Sequence, residues 1–178
     1  MPDDPRPDGG TLLKTVYTCY NGAAPPCTGD AVSFPVTQRT IYTTWASGQE
    51  SETDLYYDYN SSTGLNAVSL VTEEDDYGFG SGQPGPLLRK TVTSYASLTG
   101  IYNRPSSISV YNPSGVLVAQ TNYSYDQTGV TGTSGTPQHV TPSGARGNPT
   151  TISRLVQGSG YVNESLSYFD TGNVYQAT

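Results

Sequence analysis

The chain has 178 residues, of which 34% are hydrophobic and only 13% are charged, and its formal net charge is −7. This length is sufficient for one domain with a core, and the low charge content differs from that of an ordinary disordered segment. The acidic balance and the eight scattered Lys and Arg residues argue against a nucleic-acid surface, and no apolar run is long enough to span a membrane.

The first ten residues, MPDDPRPDGG, contain no apolar segment of the kind found in a signal peptide. They are predicted to form a flexible tail over 1–10. A single domain is predicted over 11–178.

The composition favours strands and turns over helices. Tyr is the dominant aromatic residue, with 15 copies against three Phe and one Trp, and Gly and Pro together number 33. No window has a convincing 3.6-residue periodicity. In chain order, the predicted strands cover 11–20, 34–46, 52–59, 65–74, 87–95, 104–111, 116–125, 150–157 and 161–169.

Turns separate these short strands about every ten residues. Asp75 to Gly78 is predicted to be one of the turns, and 128–136 is predicted to be a Gly/Thr-rich loop. This pattern predicts an all-β fold, an antiparallel meander of hairpins. An open, twisted sheet built from repeats is the favoured arrangement, and a single rounded sandwich is the alternative.

Cys19 and Cys27 close a short loop that contains an Asn-Gly turn and two Pro residues. A disulfide between them is sterically plausible, and two free, half-buried thiols are the alternative. A zinc site is not predicted, because two Cys and one distant His do not supply four ligands.

A short motif recurs, in which an aromatic strand end is followed by Asp or Asn and then by a small-residue turn with Gly. The copies are Tyr57-Asp58 with Gly64, Tyr111-Asn112 with Gly115, Tyr125-Asp126 with Gly129, and Phe169-Asp170 with Gly172. The aromatic ring suits a half-buried pleated surface, the Asp or Asn accepts a bond from a backbone N–H two residues on, and Gly supplies a positive φ. Asp126 is therefore predicted to start a local turn, and its replacement by Ala to cost about 1 kcal/mol.

These Tyr-Asp turns within Thr/Tyr/Val-rich hairpins resemble the tyrosine–aspartate (YD) repeats, also called Rhs repeats. The segments GNPTTI at 147–152 and YFDTGNV at 168–174 are especially similar. The resemblance covers most of the chain from about Thr11. In that family, successive hairpins wind into a spiral β-sheet that encloses a toxin polypeptide or serves as a cell-surface adhesion scaffold.

The resemblance implies a non-enzymatic structural segment of a bacterial surface or secreted protein, without a cofactor. The chain is shorter than a complete shell, and no self-cleaving C-terminal core or toxin domain is recognisable, so it looks like a piece of a longer chain. The implied partners are neighbouring repeats or a second copy, which would pair through an exposed edge strand near the C-terminus. A glycan or a cell-surface protein is a further candidate partner.

Other kinds of site have weaker support in the sequence. His139 is the only histidine, no Gly-x-Ser-x-Gly motif accompanies it, and it is interpreted as a loop residue. The acidic run at 73–76 lacks the pattern of a calcium loop and is interpreted as a solvated turn. The alternative function is a carbohydrate- or protein-binding module that uses an aromatic face of Tyr residues and Trp45.

Overall fold

The structure of the protein is a computed structural model that describes residues 12–60, 65–136, 139–140 and 143–178. These residues contain no helix, and their eleven strands form one open antiparallel sheet that runs as a meander. The predicted fold class is therefore confirmed. The predicted tail over 1–10 and the predicted turn residue Gly64 lie outside the described residues. Within the described residues, no helix is long and apolar enough to cross a membrane.

The strands follow one another along the sheet almost in chain order, and β5 alone leaves this path to pair with β3. The strands are β1 (Lys14–Tyr20), β2 (Gln38–Trp45), β3 (Gln49–Asn60), β4 (Leu65–Tyr77), β5 (Gly80–Ser81), β6 (Leu87–Tyr95), β7 (Pro105–Tyr111), β8 (Leu117–Tyr125), β9 (Pro149–Val156), β10 (Gly160–Tyr168) and β11 (Val174–Ala177). The chain divides into two compact units, Met1–Lys90 and Thr91–Thr178. The interpretation of 11–178 as one domain stays a prediction.

Four elements, β2, β4, β5 and β11, differ clearly from the sequence-based expectation. β2 begins at Gln38 rather than at 34, because the preceding residues lie in a loop that the Asn21 side chain holds. β4 continues to Tyr77, so the turn predicted at 75–78 is wrong. Neither β5 nor β11 was predicted, although β11 follows a turn that was predicted.

In unit 1, the register places a mainly polar row of side chains across the sheet. Cys19 pairs with Thr40, Thr40 with Asp54, and Asp54 with Asp75, and directly opposed residues share a face. Each of the four residues is at most 6% exposed. The row is therefore the most buried part of this unit, although three of its four members are hydrophilic.

Few apolar side chains are buried. Among the described residues, Cys19, Leu55 and Tyr168 are the hydrophobic residues that are buried. Hydrogen bonds between neighbouring strands and between side chains and backbone therefore carry an unusually large share of the stability of each unit.

In unit 2, two successive hairpins are built alike. The first pairs β7 with β8 and the second pairs β9 with β10. Pro105 and Pro149 begin the first strand of each hairpin, while Tyr125 and Tyr168 end the second strand. The segment predicted as a loop at 128–136 carries no named strand, and its one isolated bridge joins Thr131 to Phe169.

A tight loop after β4 depends on two glycines at which the backbone approaches closely. Gly85 donates its N–H to Gly78 O at 2.8 Å. A Cβ atom on Gly85 would lie 2.6 Å from Phe79 O, and one on Gly80 would overlap Gln83 O. Both contacts are with backbone atoms, which cannot rotate away as a side chain would.

We expect Gly85→Ala to lower the free energy of unfolding by about 1–3 kcal/mol, because the added methyl group is forced against the backbone. Gly129→Ala is the control, since nothing lies within 4 Å of its Cβ position and its φ is not positive. The control should change stability by less than about 0.5 kcal/mol. Urea denaturation followed by circular dichroism measures both, and equal stability of the two variants would contradict this account of the loop.

Candidate functional site

Asp126 closes the long connection between β8 and β9. It directly follows β8 and has a φ of 53°. Its carboxylate accepts hydrogen bonds from the backbone N–H groups of Arg146 at 2.7 Å, Gly147 at 2.8 Å and Asn148 at 3.2 Å. The next residue, Pro149, begins β9. One side chain at the end of a strand therefore fixes the backbone at the start of the following strand.

This arrangement corrects the role predicted for the motif. The donors to Asp126 lie 20 to 22 residues away rather than two residues on. The positive φ predicted at Gly129 is also wrong, because Asp126 itself adopts it. A local turn of the predicted kind does occur at Asn112, whose Oδ1 accepts from the N–H of Ser114 at 3.0 Å.

Asn21 has the same role in unit 1. It follows β1 and has a φ of 51°. Its Oδ1 accepts from the N–H groups of Thr37 at 2.8 Å and Gln38 at 3.4 Å, immediately where β2 begins. Its amide group donates to Ser33 O at 2.8 Å and to Pro35 O at 3.2 Å. An amide can donate as well as accept, so Asn21 binds both N–H groups and carbonyl oxygens of the loop backbone.

The other two Asp residues of the motif also bind remote backbone. Asp58 Oδ1 accepts from the N–H of Leu70 at 2.7 Å, while the preceding Tyr57 donates its own N–H to Thr37 O at 3.0 Å. Asp170 Oδ1 accepts from the N–H of Thr133 at 3.1 Å and from its hydroxyl at 2.6 Å. The Asp of each copy therefore connects segments that are distant in sequence.

After Asp170, the motif has the predicted turn. Gly172 has a φ of 89° and donates its N–H to Phe169 O at 2.9 Å. The Phe169 ring packs edge-to-face against Tyr175 of β11, with 5.0 Å between the ring centroids.

Tyrosine hydroxyls tie the ends of each hairpin of unit 2 together. Tyr125 donates to Pro105 O at 2.7 Å, and Tyr168 donates to Pro149 O at 2.9 Å. In both cases the acceptor is the first residue of the preceding strand. Burial raises the pKa of both phenols, so both remain protonated donors at neutral pH. The sequence carried a sign of this pairing, because Pro105 precedes Tyr125 by 20 residues and Pro149 precedes Tyr168 by 19.

His139 lies outside the strands, beside Asp170. Its Nε2 is 3.2 Å from Asp170 Oδ2, without the alignment of a hydrogen bond. The hydroxyl in this cluster belongs to Thr133 and donates to Asp170 rather than to the imidazole. That hydroxyl is also the main reason that the pKa of Asp170 lies below its ordinary value. Among the described residues, this cluster therefore lacks the hydroxyl-to-imidazole contact of a nucleophilic triad.

Unit 1 carries an acidic ladder on one face of the sheet, formed by Glu52 and Asp54 of β3 with Glu73 and Asp75 of β4. The interpretation of 73–76 as a solvated turn is wrong, because these residues lie in β4 and Asp75 is buried. Lys90 is the cation of the ladder, and its Nζ lies 2.6 Å from Glu73 and 3.6 Å from Asp75.

The ladder holds more carboxyl groups than nearby cations. Burial raises the pKa of Glu52, and the adjacent Asp54 raises it further. Burial also raises the pKa of Asp75, although Lys90 opposes this. Asp54 accepts hydrogen bonds from Gln38 Nε2 at 3.1 Å and from the Thr40 hydroxyl. Burial raises the pKa of the Tyr56 phenol to about 12, and the nearby Asp54 carboxylate contributes to this rise. Within the described ranges, no group of three or more His, Cys, Asp or Glu residues has the geometry of a metal site.

Cys19 and Cys27 form a disulfide, with 5.6 Å between their Cα atoms. The loop that it closes borders a groove of about 290 Å³ over the first three strands. The groove is lined by Thr15, Tyr17, Pro25, Pro26, Thr44 and Glu50.

Trp45 belongs to the other side of the sheet. It pairs with Lys14, whose Nζ lies 5.6 Å from the centroid of the Trp45 ring. Thr15 and Thr44, which line the groove, are the next pair along and therefore point to the opposite face. Tyr17 and Trp45 consequently do not form one aromatic surface.

Comparison of the chain with protein-family models, with curated proteins and with solved structures found no match. The resemblance to YD repeats stays a prediction from the sequence motifs.

We expect Asp126→Ala to lower the free energy of unfolding by about 2–3 kcal/mol, because three backbone donors lose a charged acceptor. Asn112→Ala is the comparison, since it removes two local bonds from the N–H groups of Ser114 and Val116 to an uncharged amide oxygen, and it should cost about 1 kcal/mol. Urea denaturation of both variants measures the difference. A cost for Asp126→Ala no larger than that for Asn112→Ala would contradict the long-range role of this carboxylate.

The acidic ladder should make stability rise on mild acidification. Glu52 and Asp75 have raised pKa values when folded, so on acidification the folded chain takes up these protons before the unfolded chain does. The free energy of unfolding should therefore increase as the pH falls from 7 towards the ordinary carboxyl pKa values. Asp126 and Asp170 have lowered pKa values, so the stability they contribute is lost as the pH falls further, through those lowered values.

Urea denaturation at a series of pH values tests this prediction, with the double variant Glu52→Gln, Asp75→Asn as the comparison. The double variant should lose the rise in stability on mild acidification and keep the loss at lower pH. An unchanged pH profile would contradict the assignment to these two carboxyl groups.

Proposed function

We propose that this chain is a non-enzymatic structural segment of a bacterial surface or secreted protein of the Rhs (YD-repeat) type. The sheet itself is the functional part, as a scaffold or a section of a shell. The observation that carries the proposal is the repeated hairpin of unit 2, in which Tyr125 is tied to Pro105 and Tyr168 to Pro149. Repetition of one tie in successive hairpins is what a repeat-built sheet requires.

The bonding of the motif residues supports a structural role. The Asp126 carboxylate is occupied by backbone N–H groups, and Asp170 is held by Thr133. The Tyr125 and Tyr168 hydroxyls donate to backbone carbonyls. The carboxylates and phenols of the motif are thus engaged in holding backbone.

The disulfide supports a location outside the cytoplasm. Bonds such as that between Cys19 and Cys27 persist in oxidising compartments and are rare in cytosolic proteins. An extracellular or cell-surface location, as part of a longer parent protein, agrees with the proposed role.

The expected partner is further β-sheet, from neighbouring repeats or from a second copy. In the described part of the chain, β11 has β10 as its one strand partner, and all four residues of β11 are exposed. Thr178 and Ser165 exchange both backbone bonds, at 2.8 and 3.0 Å. Because hydrogen-bonding direction alternates along an antiparallel strand, the N–H of Ala177 points away from β10. Such an edge accepts another strand.

We expect the chain to associate as its concentration rises and Ala177→Pro to weaken this association, since Pro removes the outward N–H. Ala177→Ser is the matched control and should associate like the wild type. Sedimentation velocity over a concentration series measures both. A wild-type chain that stays monomeric up to millimolar concentration would overturn pairing through this edge.

A binding module is the second candidate function, for a carbohydrate or a protein. The groove between Tyr17 and the Pro25-Pro26 segment favours it. A ligand bound in this groove contacts the face of the sheet that carries Tyr17, and it does not contact Trp45, which lies on the opposite face.

A further inference from the structure

The groove of unit 1 is a shaped cleft with an aromatic side and an acidic end. Thr15 and Tyr17 come from β1, and Thr44 comes from β2. The Pro25-Pro26 segment of the disulfide loop lines it as well, and Glu50 of β3 contributes a half-buried carboxylate. Its volume of about 290 Å³ is near the lower limit for sites that hold small ligands.

Carboxylates predominate on this face, where Lys90 contacts Glu73 and Asp75 of β4. Glu50 accepts from the Thr44 hydroxyl at 3.3 Å, and Glu52 and Asp54 follow on the same face of β3. The basic residues of the first two strands, Lys14 and Arg39, alternate onto the other face. Glu50 is the one charged residue that lines the groove, and none of the lining residues is basic.

A ligand that satisfies this lining carries a positive charge at the end of an aliphatic chain. A Tyr ring attracts an ammonium group through its π face, and a carboxylate adds a charge-assisted hydrogen bond. The two Pro rings provide apolar contact for methylene groups. We propose that this groove binds a primary alkylammonium group, as presented by a lysine side chain of a polypeptide.

The disulfide is part of the proposed site. Cys27 is tied to Cys19, which is 1% exposed within the sheet, and Pro25 and Pro26 lie immediately before Cys27. Without the disulfide, the Pro25-Pro26 side of the groove loses the cross-link that holds it against β1. Binding is therefore stronger in the oxidised protein than in the reduced protein.

The test titrates the oxidised chain with Nα-acetyl-lysine methylamide and follows backbone amides by NMR. We expect saturable shifts at Tyr17, Thr44 and Glu50, which weaken at high salt. The same probe acetylated on Nε keeps the four methylene groups and loses its charge, and it should not bind. Equal binding of the two probes, no shifts, or shifts confined to other residues would overturn the proposal.

Two substitutions locate the interaction. Glu50→Gln should weaken binding of the lysine probe about tenfold, because a charge-assisted bond is lost. Glu164→Gln makes the same chemical change in unit 2 and should leave the affinity unchanged. Tyr17→Leu keeps an apolar side chain but removes the π face, and it should weaken binding severalfold. Unchanged affinity for Glu50→Gln would overturn the proposal.

The redox dependence has its own measurement. The lysine probe is titrated into the chain after reduction, with circular dichroism used to confirm that the sheet is retained. If reduction abolishes the sheet, the double variant Pro25→Ala, Pro26→Ala in its oxidised form is titrated instead of the reduced chain. This variant should bind the lysine probe more weakly than the wild type does. Binding of a neutral methyl glycoside at these residues, independent of salt and in place of lysine, would overturn the proposal and assign the groove to carbohydrate.

Discussion

The bond between an Asp or Asn side chain at a strand end and the backbone that opens the following strand is the interaction on which this structure depends. Asp126 gathers three consecutive N–H groups before β9, and Asn21 holds the residues before β2. Each of these bonds spans a connection without regular structure and supplies a protein acceptor for its backbone N–H groups. The strand that follows can then begin at a fixed register.

The Tyr and Pro residues complete the same construction from the other end of each hairpin. Pro105 and Pro149 lack an N–H but keep a carbonyl, and that carbonyl accepts the Tyr hydroxyl from the neighbouring strand. The Asp residue fixes the connection to the next hairpin, and the Tyr residue joins the two strand ends of its own hairpin. Together they explain why an aromatic residue and a carboxylate recur side by side at the ends of these strands.

Periodicity and turn residues were sufficient to predict the fold class and most strands. β6 was predicted with its observed limits, because Leu87 to Tyr95 alternates between two clear loops. The long-range hydrogen bonds of Asp126 could not be predicted from a local motif, because the pairing of β8 with β9 brings the donors close to its carboxylate. The acidic run was misassigned because charged residues usually mark turns, whereas here Asp75 is paired with Asp54 and balanced by Lys90. The groove depends on how the disulfide loop lies over β1, and composition does not determine that.

The polar row through Cys19, Thr40, Asp54 and Asp75 has a thermodynamic consequence. The heat capacity change of unfolding comes mainly from newly hydrated apolar surface, and polar surface contributes with the opposite sign. With few buried apolar residues in the described part of the chain, that change should be small for a chain of this length. The stability curve is then shallow, so the folded state varies little in free energy across a wide temperature range and has little tendency to unfold in the cold.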